Sequence, residues 1–430
     1  MEGRDPLPRL LGLPSQVVGS LWPPEQVLCG LCVCTRLHNE LLSCSANVKL
    51  TVKDSHKDSG DHERINVLLH KINGKVQMQW PPGAGMGLCR DAMRGRVDDL
   101  VVSSWRPEVV LSEADAQTVA VCMPELRSLS LDVRKFELRA ITPLRALLTN
   151  FPVGASNLQA LSILGLSYLL SEEHIFPALA RVVTLRSLHV EFGPSSIAGH
   201  GLGNMLAGLS RLERLHIMRA HLQGGMVAFM QGLQPAGAPP ALPALTALTL
   251  QYVDIESNDT PYFCEFLAQL SKLTRLRVND LGIHPSNIYT IGQQIGRLPA
   301  LTELDINELG TFQSARWLLP WLGRCTELRV LKIQALTAHC VAMVVRNLHA
   351  CTHLRALDIS ENSVLDTEFF QAAEAEVLAE ELARLPALRS LQMRVRFMAQ
   401  AAVDVFRTSL PRVALVVWGT DGAESRGRGD

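Results

Sequence analysis

One pattern recurs ten times along this 430-residue chain and leaves it little freedom in what it can fold into. It is L-x-x-L-x-[LIVM], seen as PELRSLSL, SNLQALSI, VTLRSLHV, SRLERLHI, PALTALTL, SKLTRLRV, PALTELDI, TELRVLKI, THLRALDI and PALRSLQM. The leading leucines are Leu126, Leu158, Leu185, Leu212, Leu245, Leu273, Leu301, Leu328, Leu354 and Leu388, in steps of 26 to 34 residues. The second and third apolar positions are two apart, so they point the same way from a strand. One such strand cannot bury its apolar side alone, and its neighbours must stack on it.

Between the strands the period changes to that of a helix. Met226, Phe229, Met230 and Leu233 fall at i, i+3, i+4 and i+7, as do Phe263, Phe266, Leu267 and Leu270. Pro285-Ser286 precedes a third such face of Ile288, Ile291, Ile295 and Leu298. Three residues before each leading leucine stands a small or apolar residue, among them Val182, Leu209, Leu242, Cys325, Cys351 and Leu385, closing helix onto strand.

Ten copies at this period resemble the leucine-rich repeat family, in its ribonuclease-inhibitor-like form; RCTELRVLKI and ACTHLRALDI resemble its cysteine-containing variant. The resemblance implies an α/β horseshoe solenoid, with parallel strands on the concave side and helices on the convex side. The family's inner asparagine is clear only at Asn362; Leu166, Ala220, Val253, Leu281, Leu309 and Leu336 stand there otherwise. The array is expected to begin earlier than Leu126. Strand-like NVKLTV and GKVQMQW place Val48 and Val76 28 residues apart, with Ile65, Leu68, Leu69 and Ile72 as a helical face between them. A third strand is expected in DDLVVSS, with Ser112 or Asp115 capping the helix after it. This gives three segments: a short N-terminal helical module at 1–46, the solenoid at 47–418 and a disordered, glycine-rich tail at 419–430.

Charge narrows the partners. Lys and Arg (41) balance Asp and Glu (42), so no basic excess exists to hold a nucleic-acid backbone or an anionic membrane. The N-terminus has no signal-peptide character, and Pro23, Pro24 and Glu25 break the apolar run behind it. Ten cysteines without framework spacing then read as reduced, mostly buried thiols of a cytoplasmic or nuclear protein. No phosphate loop, nucleophile elbow or zinc-protease helix is present, and neither an enzyme nor a cofactor is expected.

In L-x-x-L-x-L strands the residues between the apolar ones face the concave side. The most charged part of that face is Arg214, His216, Arg275, Arg277, Glu303, Asp305 and Lys332, the expected surface for a protein substrate. The competing reading is that these charges solvate an exposed sheet. His189 and His216 fall in one column, without a third ligand to make a metal site. The acidic stretch 366–386 reads as a solvated outer face or as a contact for a basic partner.

The segment LPSQVVGSLWPPEQVLCGLCVCTRLHNELL has a period of its own. Cys29 and Cys32 have metal-ligand spacing, yet no second pair follows and the thiols alternate with core-type leucines. As a whole the segment resembles an F-box. That resemblance implies docking onto a Skp-type adaptor of a cullin-containing ubiquitin ligase, with the repeats as the substrate-recognition arm. The positions it assigns to the adaptor are Leu13, Pro14, Val17, Val18, Leu21, Pro24, Val27, Leu28, Val33 and Cys34. The alternative is a plain helical cap on the first repeat of a scaffold protein without a ubiquitin link.

Overall fold

A computed structural model of the protein describes residues 47–51, 75–80, 97–103, 126–132, 157–166, 175–193, 196–234, 241–284, 287–307, 320–334, 345–360, 372–394, 400–418 and 424–426. The N-terminal module, with all ten adaptor positions, lies outside these residues, as do Ser112, Asp115, Pro285, Ser286 and Asn362. The chain forms two compact units that meet between Val190 and Glu191.

The first unit is built on β1 (Asn47–Thr51), β2 (Lys75–Trp80), β3 (Val97–Ser103), β4 (Ser128–Asp132) and β5 (Ala160–Leu166), paired in chain order and all parallel. Val48 sits opposite Val76, the 28-residue step expected from the sequence. A short helix, α1 (Phe176–Ala180), leads to β6 (Ser187–Phe192). The backbone N–H groups of Arg186 and Ser187 donate to the carbonyl of Gln159, each at 2.8 Å, carrying the same stacking forward one repeat.

In the second unit β8 (Arg214–Met218), β10 (Ala247–Gln251), β11 (Arg275–Asn279), β12 (Glu303–Asn307), β13 (Val330–Gln334), β14 (Ala356–Ser360), β15 (Ser390–Arg394) and β16 (Ala414–Trp418) pair in parallel, one per repeat. A two-stranded parallel sheet joins β7 (Ser196–Ala198) to β9 (His221–Gln223). At the end of this sheet Glu424–Arg426 forms β17, antiparallel to β16. There β17 satisfies unpaired backbone groups of the sheet edge.

Helices of this unit include α2 (Gly199–Ala207), α3 (Gly225–Leu233), α4 (Thr260–Gln269), α5 (Ile288–Ile295), α6 (Ala372–Ala383) and α7 (Gln400–Ser409). Each buries the stripe its sequence carries: Met226, Phe229 and Met230 on α3, Phe263, Phe266 and Leu267 on α4, Ile288, Ile291 and Ile295 on α5. Ile217 and Leu250 of the strands meet Leu202, Met226, Phe229, Phe263 and Phe266 of the helices around a cavity of about 20 Å³ lined only by apolar side chains. The helices therefore cover the sheet face that carries Ile217 and Leu250, and the intervening strand residues are left on the other, open face.

The turns off the sheet explain the missing asparagines. Arg219, Tyr252 and Asp280, each just after a strand, take positive φ of 55°, 54° and 45°. The next residues, Ala220, Val253 and Leu281, are buried where the family places asparagine. Backbone bonds close these loops instead, from Asp254 N to Ala220 O at 3.1 Å and from Ile255 N to Leu281 O at 3.0 Å. An apolar side chain suits these buried positions, where an unpaired amide would be costly.

A threonine ladder ties the middle repeats together. The hydroxyls of Thr246, Thr274 and Thr302 donate to Glu213 O, Thr246 O and Thr274 O, at 3.1, 3.0 and 3.0 Å. Thr274→Val is expected to cost about 1 kcal/mol by chemical denaturation, the net worth of one such bond. A valine variant with unchanged stability removes the ladder from the energetics of the fold.

Candidate functional site: the open sheet face of the second unit

Strand alternation places the charged residues named from the sequence on the open face, and the register brings all seven into two rows. In one row His216 is opposite Thr249, then Arg277, Asp305, Lys332, Asp358 and Gln392 follow on successive strands. In the other, Arg214, Ala247, Arg275, Glu303, Val330, Ala356 and Ser390 follow in the same order. The first row alternates in sign from Arg277 to Asp358, about 4.8 Å per strand.

Two ion pairs cross from β11 to β12, and they differ in kind. Arg275 Nε lies 3.8 Å from Glu303 Oε2 with the arginine two-thirds exposed, a pair that water screens to little energy. Arg277 Nε donates to Asp305 Oδ2 at 2.6 Å, and the aspartate side chain is only 3% exposed. Asp305 thus lies beneath the surface. It holds the guanidinium of Arg277, itself 43% exposed, at the surface. Arg214 is exposed at the β8 end of its row, while Lys332 and His216 are half-buried. His216 Nε2 is 3.3 Å from Gln251 Oε1.

A third row escaped the sequence reading. Gln251 is opposite Asn279, and Asn279 opposite Asn307; Gln334 is opposite Ser360. Gln251 and Asn279 stand two residues beyond the charged row, on the same face, and the alternation that located the charges also locates them. The face therefore presents charge along its centre, with Gln251 and Asn279 beyond it towards the strand ends.

The remaining titratable groups have structural surroundings. In the first unit His189 Nδ1 is 3.3 Å from Ser162 Oγ. Among the described residues no three His, Cys, Asp or Glu side chains come together to hold a metal ion. Burial, with Cys351 beside it, pushes the Cys325 thiol up to about 12, and burial pushes Cys351 and Cys264 up to about 11. Cys351 Sγ donates to Leu322 O and Cys325 O, at 3.4 and 3.5 Å. Burial thus holds both cysteines in the neutral thiol form, which is poorly nucleophilic. Iodoacetamide is expected to leave Cys325 and Cys351 unmodified in the folded protein and to label both in urea, as read by peptide mass spectrometry. Rapid native labelling of either contradicts that burial.

The acidic helix α6 divides its charge. Glu374, Glu376 and Glu380 are exposed, whereas Glu381 is folded in. Its carboxylate meets His349 Nε2 at 2.9 Å, Arg384 Nη1 at 3.0 Å and Arg346 Nε at 3.4 Å. Part of the acidity is therefore internal bonding between repeats, neither a solvated face nor a partner contact.

No family model and no curated protein matches this sequence. Among solved structures the chain is similar to a leucine-rich repeat protein of Leptospira interrogans, at 14% identity over 88% of this chain and 91% of that one, with a TM-score of 0.37. It is similar also to the leucine-rich repeat-containing protein LegL7 of Legionella pneumophila, at 14% identity over 81% and 92%, with a TM-score of 0.39. The leucine-rich repeat fold is carried by the chain's own strands, one L-x-x-L-x-[LIVM] element per repeat, stacked in parallel and in register.

Proposed function

We propose that the protein is a non-catalytic receptor that holds a protein partner on the open sheet face of its second unit. The observation that supports this is the Arg277–Asp305 pair: a buried carboxylate fixes an exposed guanidinium at the centre of a broad, alternately charged surface. Fixing the guanidinium in advance lowers the entropy lost when a partner carboxylate or carbonyl binds it. The surface has the breadth of a protein contact, since eight parallel strands at about 4.8 Å span about 34 Å.

The finer reading is that of a substrate-recognition subunit of a Skp–cullin–F-box-type ubiquitin ligase. It rests on the F-box-like sequence of Leu13, Pro14, Val17, Val18, Leu21, Pro24, Val27, Leu28, Val33 and Cys34, whose apolar side chains are assigned to the Skp-type adaptor. Arg214, His216, Arg275, Arg277, Glu303, Asp305 and Lys332 are assigned to the substrate. A scaffold without a ubiquitin link is the alternative, its N-terminal segment serving as a cap. Co-purification with a purified Skp-type adaptor decides between them. The ligase reading expects a stable complex that Pro14→Ala with Leu28→Asp abolishes. No complex, or one that the double variant retains, leaves the scaffold.

A further inference from the structure

One column at the edge of the second unit's sheet changes its chemistry partway along. An unbroken series of 2.8 Å backbone bonds runs from Thr274 N to Thr246 O, Thr302 N to Thr274 O, Arg329 N to Thr302 O, Arg355 N to Arg329 O and Arg389 N to Arg355 O. These six residues occupy the same position in successive repeats. The three threonines turn their hydroxyls onto the backbone of the repeat before. The three arginines are exposed, and none forms an ion pair among the described residues. Arg389 Nη1 reaches only carbonyls, at 3.0 Å from Leu388 O and 3.5 Å from Pro386 O.

Three like charges on consecutive strands repel one another, and a repeat stack has no structural need of them, because threonine serves the same position nearby. The residue after each arginine, Val330, Ala356 and Ser390, has a small or short side chain that is half-buried, and the three are in register. Their strands are about 4.8 Å apart. Carboxylates one helical turn apart recur at about 5–6 Å, whereas same-face carboxylates on an extended chain recur at about 6.6 Å. The helical spacing is the closer match.

We infer that Arg329, Arg355 and Arg389 form a docking strip for an acidic helical segment of a partner protein, with carboxylates at i, i+4 and i+7 or i+8. This deepens the receptor function proposed above and rests on it, but uses different residues from the central Arg277–Asp305 surface.

The test is fluorescence anisotropy of the full-length protein with a labelled alanine-based 18-residue peptide carrying Glu at i, i+4 and i+8, against the same peptide with Gln. The Glu peptide is expected to bind more tightly, and to weaken about threefold with each of Arg329→Gln, Arg355→Gln and Arg389→Gln, reaching about 30-fold in the triple variant. Added salt should weaken it further. All three side chains are exposed, so the variants are expected to melt like the parent. Equal binding of the two peptides, or an unchanged Kd in the triple variant, overturns the strip. So does tighter binding of single-stranded polyuridylate at equal charge, which makes the strip a nucleic-acid contact. Self-association lost in both the triple variant and Glu376→Gln with Glu380→Gln assigns the strip to a second copy and likewise overturns the proposal. A partner whose binding falls with Arg277→Gln but not with the triple variant sinks the strip alone and leaves the receptor function standing.

Discussion

Gly232→Ala is expected to destabilise the second unit by about 2–3 kcal/mol and lower its melting midpoint by about 5–10 °C, a large effect for a single methyl group. The reason lies between α2 and α3, which pack backbone against backbone. A Cβ at Gly232 would run into His200 O and stand 2.9 Å from Asn204 N. One at Gly203 would run into Phe229 O and stand 2.6 Å from Leu233 N. The obstructing atoms are main chain on both sides, so no rotamer change relieves the overlap and the helices must separate. Separation opens the layer in which Phe229 meets Phe266 edge to face, with centroids 5.5 Å apart. Gly203→Ala should behave alike, and the double variant should cost less than the two singles together, because one separation serves both. Circular-dichroism melts decide it: a Gly232→Ala midpoint within 1 °C of the parent means that the helices do not meet as closely as described.

Arg277→Ala is expected to cost about 3 kcal/mol and Asp305→Ala about 2 kcal/mol, an order set by what each leaves behind. Without Arg277 a buried carboxylate loses its charged partner. Without Asp305 the guanidinium is already 43% exposed, and water takes over part of the role. The double substitution to alanine should cost less than the two single effects together, since neither charge is then stranded. Urea titrations of the four proteins give the cycle. If Asp305→Ala proves the more damaging, or the cycle shows no coupling, Asp305 is not the anchor of the site. The exposed pair Arg275–Glu303 provides the internal comparison: its disruption should change stability by no more than about 0.5 kcal/mol.

These two predictions mark where sequence reading stopped. Gly199 and Gly203 sit four apart in GHGLGNMLA, a spacing that can be seen in the sequence, yet nothing local says that Gly225 and Gly232 of the next repeat face them. Asp305 and Glu303 are indistinguishable in ELDIN, two acids on the same strand face. Only the neighbouring strands make one a buried anchor and the other a screened surface charge. Likewise Glu381 is one glutamate among several in a helix that reads as uniformly acidic, until Arg346 and His349, more than thirty residues earlier, are folded against it.

What the sequence determined by itself is the repeat: its strands, their 28-residue register at Val48 and Val76, and the helical stripes of Met226, Phe263 and Ile288. Those features follow from alternation and helical periodicity within a single repeat, and each repeat carries its own copy of the instruction. What only the tertiary structure decided is which polar and glycine positions are buried, paired or left exposed: Asp305 under Arg277, Gly232 against His200, and the arginine column unpaired at the sheet edge. Burial and pairing belong to the space between repeats, and the residues that define that space lie about 28 positions apart in the chain, beyond the reach of any local pattern.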